Sequence, residues 1–388
     1  MGKTSKSPKA VLLTAYQVGR SQLRAYSHRF SPQKFTQPQL FACLVLKEFL
    51  QLDYRKLAAL LADTPSLVAA IELHVIPHYT TFQKAAQRLL VSTPARRLLD
   101  ETIDRAVQAK LMKRRVKLAA IDGTGFESWH VSTYYAKRCE KTGKNPGRKR
   151  RHFPKAGLVC DCASHFILAV VPGVGPGPDD KHYRPALKQT AGCVSVETLL
   201  ADAGYDGEPA HEHARQTYGM RTIIPPTRGR PTDKLPTGRW RRRMATHFNQ
   251  LKYGQRWQIE TVNSMLKRLL GSALRARKHW TKHREITQRA ITHNLMILRM
   301  KVFYRAKLAD FHVGTLTFLH YYKFCVSLGG ISARFARNSW IIIVLRARAG
   351  AGTNRWQSPS QGRELCSGID QTGLGCGILS LGASVGRL

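Results

Sequence analysis

Acidic side chains are scarce in this chain. Against 63 Lys and Arg there are 24 Asp and Glu, so the 388 residues carry a formal net charge of +39. A compact fold with that excess repels itself, and a polyanion relieves the repulsion most directly. Long apolar runs are missing as well. No stretch approaches the roughly 20 residues that span a bilayer, and the greasiest, "SWIIIVLR", is far shorter. Nucleic acid is therefore the first candidate partner, and the hydropathy argues against a membrane. No signal-peptide core follows the basic start "MGKTSKSPKA", which predicts a cytoplasmic, nucleoid-associated protein.

Metal and nucleotide motifs are missing too. The eight cysteines have no disulfide-framework spacing and no CxxC pair, and only Cys160 and Cys162 lie close together. Reduced thiols are expected. There is no HExxH or zinc-finger spacing, and His211 and His213, two apart, point in different directions on a helix. "GVGPGPDD" is Gly-rich but lacks GK[ST] and is interrupted by prolines, so it reads as a loop and no nucleotide is expected.

What is present changes texture along the chain. Residues 1–36 read as a basic flexible arm followed by a short helix. Residues 37–112 are helical in pattern, with 3.6-period apolar faces in "QPQLFACLVLKEFL" and "YRKLAALLAD" and a Thr-capped "TPSLVAAIEL". After "HVIPHY" a Thr80–Thr81 start opens a polar-basic helix that presents Gln83, Lys84, Gln87 and Arg88 on one face. Two short helices, a turn and this third helix make a helix-turn-helix candidate for DNA binding; the alternative is an ordinary bundle with a solvated face.

Residues 113–305 alternate strands and helices. "VKLAAIDGTGF" reads as a buried strand ending in a carboxylate, "AGLVCDCASHFILAVVPG" as a hairpin turning at Ala163–Ser164, and "VETLLADAGYDG" as another strand ending in a carboxylate. The order β-β-β-α-β-α-β-α is that of a ribonuclease-H-like domain, a mixed sheet flanked by helices. The fold class expected is thus α+β, an all-α DNA-binding part followed by a mixed-sheet catalytic domain. Between the first two strands, Arg148, Lys149, Arg150 and Arg151 sit in a loop dense enough in charge to contact phosphates, or else to be a solvated charge run. Residues 306–388 are rich in Gly, Ser and Arg, nearly free of acids and without periodicity, and resemble translation through a displaced reading frame; low order is expected there.

Three acids stand out by position. Asp122 ends the first strand beside Gly123 and Gly125, Asp202 ends the fourth, and Glu260 lies in "YGQRWQIETVNSMLKRLL". On a helix Tyr253, Arg256, Glu260 and Lys267 fall within a sector about 60° wide, opposite Ile259, Val262, Met265, Leu266 and Leu269. If the first and fourth strands are neighbours and this helix crosses them, the three carboxylates meet. Such a cluster repels itself unless a cation neutralises it, and oxygen-only ligands suit Mg²⁺ or Mn²⁺. Paired ions of that kind support phosphoryl transfer. Each acid also has an innocent reading, Asp122 and Asp202 as turn residues and Glu260 as a surface ion. Asp206 reads as a helix cap, and Asp161, mid-hairpin, as a lesser candidate for the same site.

The segment fits Y-x2-R-x3-E-x6-K without a gap and resembles the signature of DDE transposases of the insertion-sequence four and five groups. "IDGTGF" and "LADAGYD" resemble the two aspartate regions of that family, over a span of about residues 35–304. The resemblance implies a catalytic and metal-binding triad of Asp122, Asp202 and Glu260. It also implies DNA contacts by Arg256, Lys267 and Tyr253, and a base stacked on Trp257. The activity implied is Mg²⁺-dependent cleavage at terminal inverted repeats and strand transfer, by a homodimer on double-stranded DNA. The alternatives are a decayed copy that binds without cutting, a non-enzymatic basic DNA-binding protein, and a host nuclease of the same fold.

Overall fold

The computed structural model describes residues 6–128, 153–226 and 234–298. The basic loop with Arg148 to Arg151 and the segment 306–388 lie outside the described residues. Six helices come first: α1 (Pro8–Gln22), α2 (Gln37–Phe49), α3 (Tyr54–Asp63), α4 (Pro65–Ala70), α5 (Tyr79–Leu89) and α6 (Ser92–Gln108). Local chemistry sets several of their starts. Thr36 and Gln39 close a reciprocal capping box on α2, and Asp53 accepts from the Lys56 amide at 2.8 Å to start α3. Two starts differ from expectation. Thr64 makes no side-chain cap and α4 opens on Pro65, whose fixed φ suits a first turn. Helix α5 begins at Tyr79, one residue before the Thr pair.

Within residues 1–36 the chain forms α1 from Pro8 to Gln22. Val11, Leu12, Ala15 and Val18 are fully buried. Gly19 lets the helix approach α2 closely, for a Cβ there would stand 3.1 Å from the Pro38 backbone.

A five-stranded sheet follows, built from β1 (Arg115–Gly125), β3 (Phe153–Asp161), β4 (Ile167–Gly175), β5 (Ser195–Leu200) and β6 (Arg221–Ile223) in the order β4-β3-β1-β5-β6. The β1–β3–β4 pairs are antiparallel, whereas β5 and β6 run parallel to β1. Short β2 (Glu127–Ser128) pairs with β7 (Ala273–Leu274). Between strands come α7 (Asp180–Ala191) and α8 (Glu208–Glu212); then follow α9 (Arg239–Thr246), α10 (Gln250–Tyr253) and α11 (Trp257–Leu270). Residues 279–298 form α12.

Strand alternation divides the sheet into two faces. Ala119 and Ile121 pack with Tyr183, Ala186 and Leu187 of α7. Ala120, Leu158 and Leu200 belong to the core that holds Ile259, Val262, Leu266 and Leu270 of α11, and that core continues into α1–α6. Residues 37–112 and the sheet thus share one hydrophobic core. Helix α12 seals it with polar side chains: Arg289, 2% exposed, donates to Glu48, Glu285 and the carbonyls of Gly271 and Ala273. Among the described residues no helix is long and apolar enough to cross a membrane. Cys43, Cys160, Cys162 and Cys193 are buried free thiols, and burial pushes Cys43 and Cys162 up to about 12.

Candidate active site

The two aspartates follow neighbouring parallel strands. Along the β1–β5 ladder Leu118 pairs with Thr198, Ala119 with Leu199 and Ala120 with Leu200. The offset is constant, so Asp122, still within β1, and Asp202, two residues beyond the end of β5 at Leu200, follow the last pair by the same count. Asp122 shares the parity of Ala120, whose face is covered by α11, whereas Asp202 has left the strand and opens the 3-10 turn Ala203–Tyr205 as its N-cap. The neighbouring first and fourth strands anticipated from the element order are thus β1 and β5.

The polar stripe does not ride on one uninterrupted α-helix. Tyr253 ends α10, Gly254–Arg256 form a 3-10 turn, and α11 begins at Trp257. Tyr253 and Arg256 nevertheless stay on one side, since residues three apart eclipse in a 3-10 turn. Glu260 is exposed and ion-paired to Arg256. An open cleft of about 670 Å³ is lined by Asp122, Glu260, Asn263, Lys267, Arg268 and Ser272, among others. Asp202, Tyr253 and Arg256 lie outside that lining but within the same electrostatic neighbourhood. Burial disfavours the Arg256 charge, yet Tyr253, Glu260, Asp202 and Asp122 together hold its pKa above the ordinary value.

Asp122 carries the largest consequence. Burial, reinforced by Asp179 and Glu260 and opposed by the Gly123 amide and Arg256, raises its pKa from 3.8 to about 6. Burial is the largest of these causes, and Lys267 and Arg268 line the same cleft. Two residues that the sequence reading missed take part. Asn263 donates to Asp122 Oδ2 at 2.9 Å, while its own buried Oδ1 has no hydrogen-bond partner among the described residues. Its signal was available: a polar residue three after Glu260 among buried Ile259, Val262 and Leu266. Asp179 lies on the other face, ion-paired to Lys155 at 2.6 Å. It reaches the strand end because Gly123 has no side chain, as a Cβ there would overlap its Oδ1. "GVGPGPDD" had been read only as a loop.

Other expected residues fall elsewhere. Trp257 is 53% exposed and so is not a core residue. Lys84 and Arg88 are exposed on α5, with Gln83 and Gln87. Asp161 is a turn residue: its carboxylate accepts from the Ala163 and Ser164 amides at 3.1 Å. Asp206 does not cap α8; it is bidentate to Arg241, at 3.0 and 2.7 Å. His211 is buried against Thr222 at 2.7 Å, whereas His213 stacks edge-on against Tyr218.

Asp122 and Glu260 offer carboxylate oxygens to the cleft, which suits a hard divalent cation. The buried Asp122 carboxylate and the Asn263 Oδ1, which has no hydrogen-bond partner among the described residues, are oxygens with capacity left for such an ion. In chemistry the residues fit such an ion. In geometry, no three His, Cys, Asp or Glu side chains among the described residues converge closely enough to hold one.

The profile of a protein family described as "Transposase DDE domain" matches residues 98–295, a little over half of the chain. The match runs from α6 into α12 and includes Asp122, Asp202 and Glu260. No curated protein shows significant similarity to the chain.

Proposed function

Because the chain belongs to the transposase DDE-domain family, we propose that it is an insertion-sequence transposase of the four/five-group kind. It binds the terminal inverted repeats of its element, cuts at their ends and joins them to target DNA. The observation that carries this reading is the strand pairing: Asp122 on β1 and Asp202 just past the end of the adjacent parallel β5, with a helix that carries Glu260 packed on the same sheet.

Asp122, Asp202 and Glu260 would hold Mg²⁺ or Mn²⁺, which supplies an activated attacking oxygen and a stabilised leaving oxygen in phosphoryl transfer. Asn263 orients Asp122. Arg256 holds Glu260 in reserve and, once that carboxylate is engaged elsewhere, is free to fork onto a phosphate. Lys267 places a point charge in the same cleft, Tyr253 donates to a further phosphate, and exposed Trp257 offers a face for an unstacked base. Hydrolysis at the element end leaves a 3′ hydroxyl, which attacks target DNA in line. Two ends must be held together, so the working unit is a dimer on double-stranded DNA, with α3–α5 and the loop around Arg148 to Arg151 supplying end binding.

A second reading keeps DNA binding without cutting. It is favoured by the Arg256–Glu260 ion pair and by the lack of a converged acidic trio among the described residues. End-labelled DNA carrying the element termini separates the two. Mg²⁺-dependent nicking at the termini, lost in Asp122→Asn, Asp202→Asn and Glu260→Ala, supports the transposase. Binding with no cut in Mg²⁺ or Mn²⁺ supports the second reading.

A further inference from the structure

The carboxylate cleft does not end at Ser272. A second cleft shares Ser272 with it and contains Arg275. A third, a groove of about 420 Å³, shares Arg275 with the second and runs between α5 and the start of α12. One wall of the groove is the edge of α5 that carries Gln83 and Gln87, one step round the helix from Lys84 and Arg88. The other wall carries Arg275, Arg277, Lys278 and Arg284. Arg277 and Lys278 are exposed, and neither they nor Arg284 form an ion pair among the described residues. The acids in the lining do not cancel this charge. Glu285 is paired to Arg289, and Asp53 is engaged in capping α3.

We propose that this groove is the track for the DNA duplex leaving the cleaved end, with Arg277, Lys278 and Arg284 on its phosphates and Gln83 and Gln87 facing it from α5. The proposal rests on the transposase reading for which DNA is bound, and on the shared lining for the path it takes. Cations in a row against neutral amides suit a backbone of evenly spaced phosphates. From Ser272 to Lys278 the chain spans at most about 20 Å, so the contacts of Arg277 and Lys278 fall within about six base pairs of the cleft at 3.4 Å per step, with that of Arg284 further along.

The test uses the full chain and a triple variant, Arg277→Ala, Lys278→Ala and Arg284→Ala, with circular dichroism melts to confirm that both fold. Loss of three phosphate contacts is expected to make the slope of log K against log salt shallower by about 2 to 3. Ethylation interference is expected to vanish at flanking phosphates within about six base pairs of the cut and to persist at the cut itself. An unchanged slope and unchanged interference would overturn the proposal. So would displacement of a short fluorescent duplex by neither heparin nor unlabelled DNA while polyglutamate displaces it, which would assign the groove to an acidic polypeptide. If the wild-type chain binds duplex through these residues but never cuts it, the track stands and the transposase reading falls.

Discussion

Two buried asparagines show how polar residues on neighbouring helices come to differ in purpose. Asn294, on α12, is fully buried and accepts from the Ile167 amide while donating to the Ile167 carbonyl and the Thr102 hydroxyl. Asn263, on α11, makes one bond, to Asp122, and leaves a buried oxygen without a partner among the described residues. The same contrast holds along each helix. On α12 Glu285, Gln288 and Arg289 are buried and hydrogen-bonded. On α11 Glu260 and Trp257 are exposed. A satisfied polar network specifies a fold, whereas a half-satisfied one beside charged groups has capacity left for a ligand.

Arg289→Met tests the structural side hardest. It leaves Glu48 and Glu285 buried without their guanidinium, and a loss of about 3–5 kcal/mol is expected in urea or thermal unfolding. A loss under 1 kcal/mol would mean that α12 does not seal the core. Asn294→Ala comes next, at about 2–3 kcal/mol, because the Ile167 amide and carbonyl are left unsatisfied. The matching change, Asn263→Ala, should cost little stability and instead slow end cutting by about 10–100-fold. Its pH–rate profile should shift as well, since Asp122 loses a donor that favours its ionised form. Equal destabilisation by the two alanines, with no shift in the profile, would erase the contrast.

The smallest effect is electrostatic. Asp122 titrates near 6 in the fold against 3.8 ordinarily, so its contribution is fully present below about pH 4 and is lost as pH rises through about 6. Without metal, Asp122→Asn is therefore expected to raise stability at pH 7, on the order of 1–2 kcal/mol after allowing for solvent screening. The gain should disappear near pH 4. Added Mg²⁺ should stabilise the wild type and not the variant; a variant no more stable at pH 7 would mean that Asp122 is not strained by burial.

Much of the architecture was legible. Apolar runs flanked by Gly and acids marked β1 and β5, and the hairpin turn fell where Asp161 now receives the Ala163 and Ser164 amides. Helix α12 was obscured because it buries Glu285, Gln288, Arg289 and Asn294 beside Ile286, Ile291 and Leu295, which blurs the apolar period that marks a helix. Asp179 escaped notice because it acts across the sheet, reaching Gly123 from the far face.

By itself the chain determined its basic excess, the alternation that builds the sheet, and the presence of Asp122, Asp202 and Glu260 at element ends or on a polar stripe, for these are properties of near neighbours. Only the tertiary structure decided that β1, with Asp122, and β5, which leads to Asp202, are neighbours, that Asn263 holds Asp122, and that Glu260 rests on Arg256. Those depend on strand register and on the rotation of one helix over a sheet, which are set by packing between residues far apart in sequence.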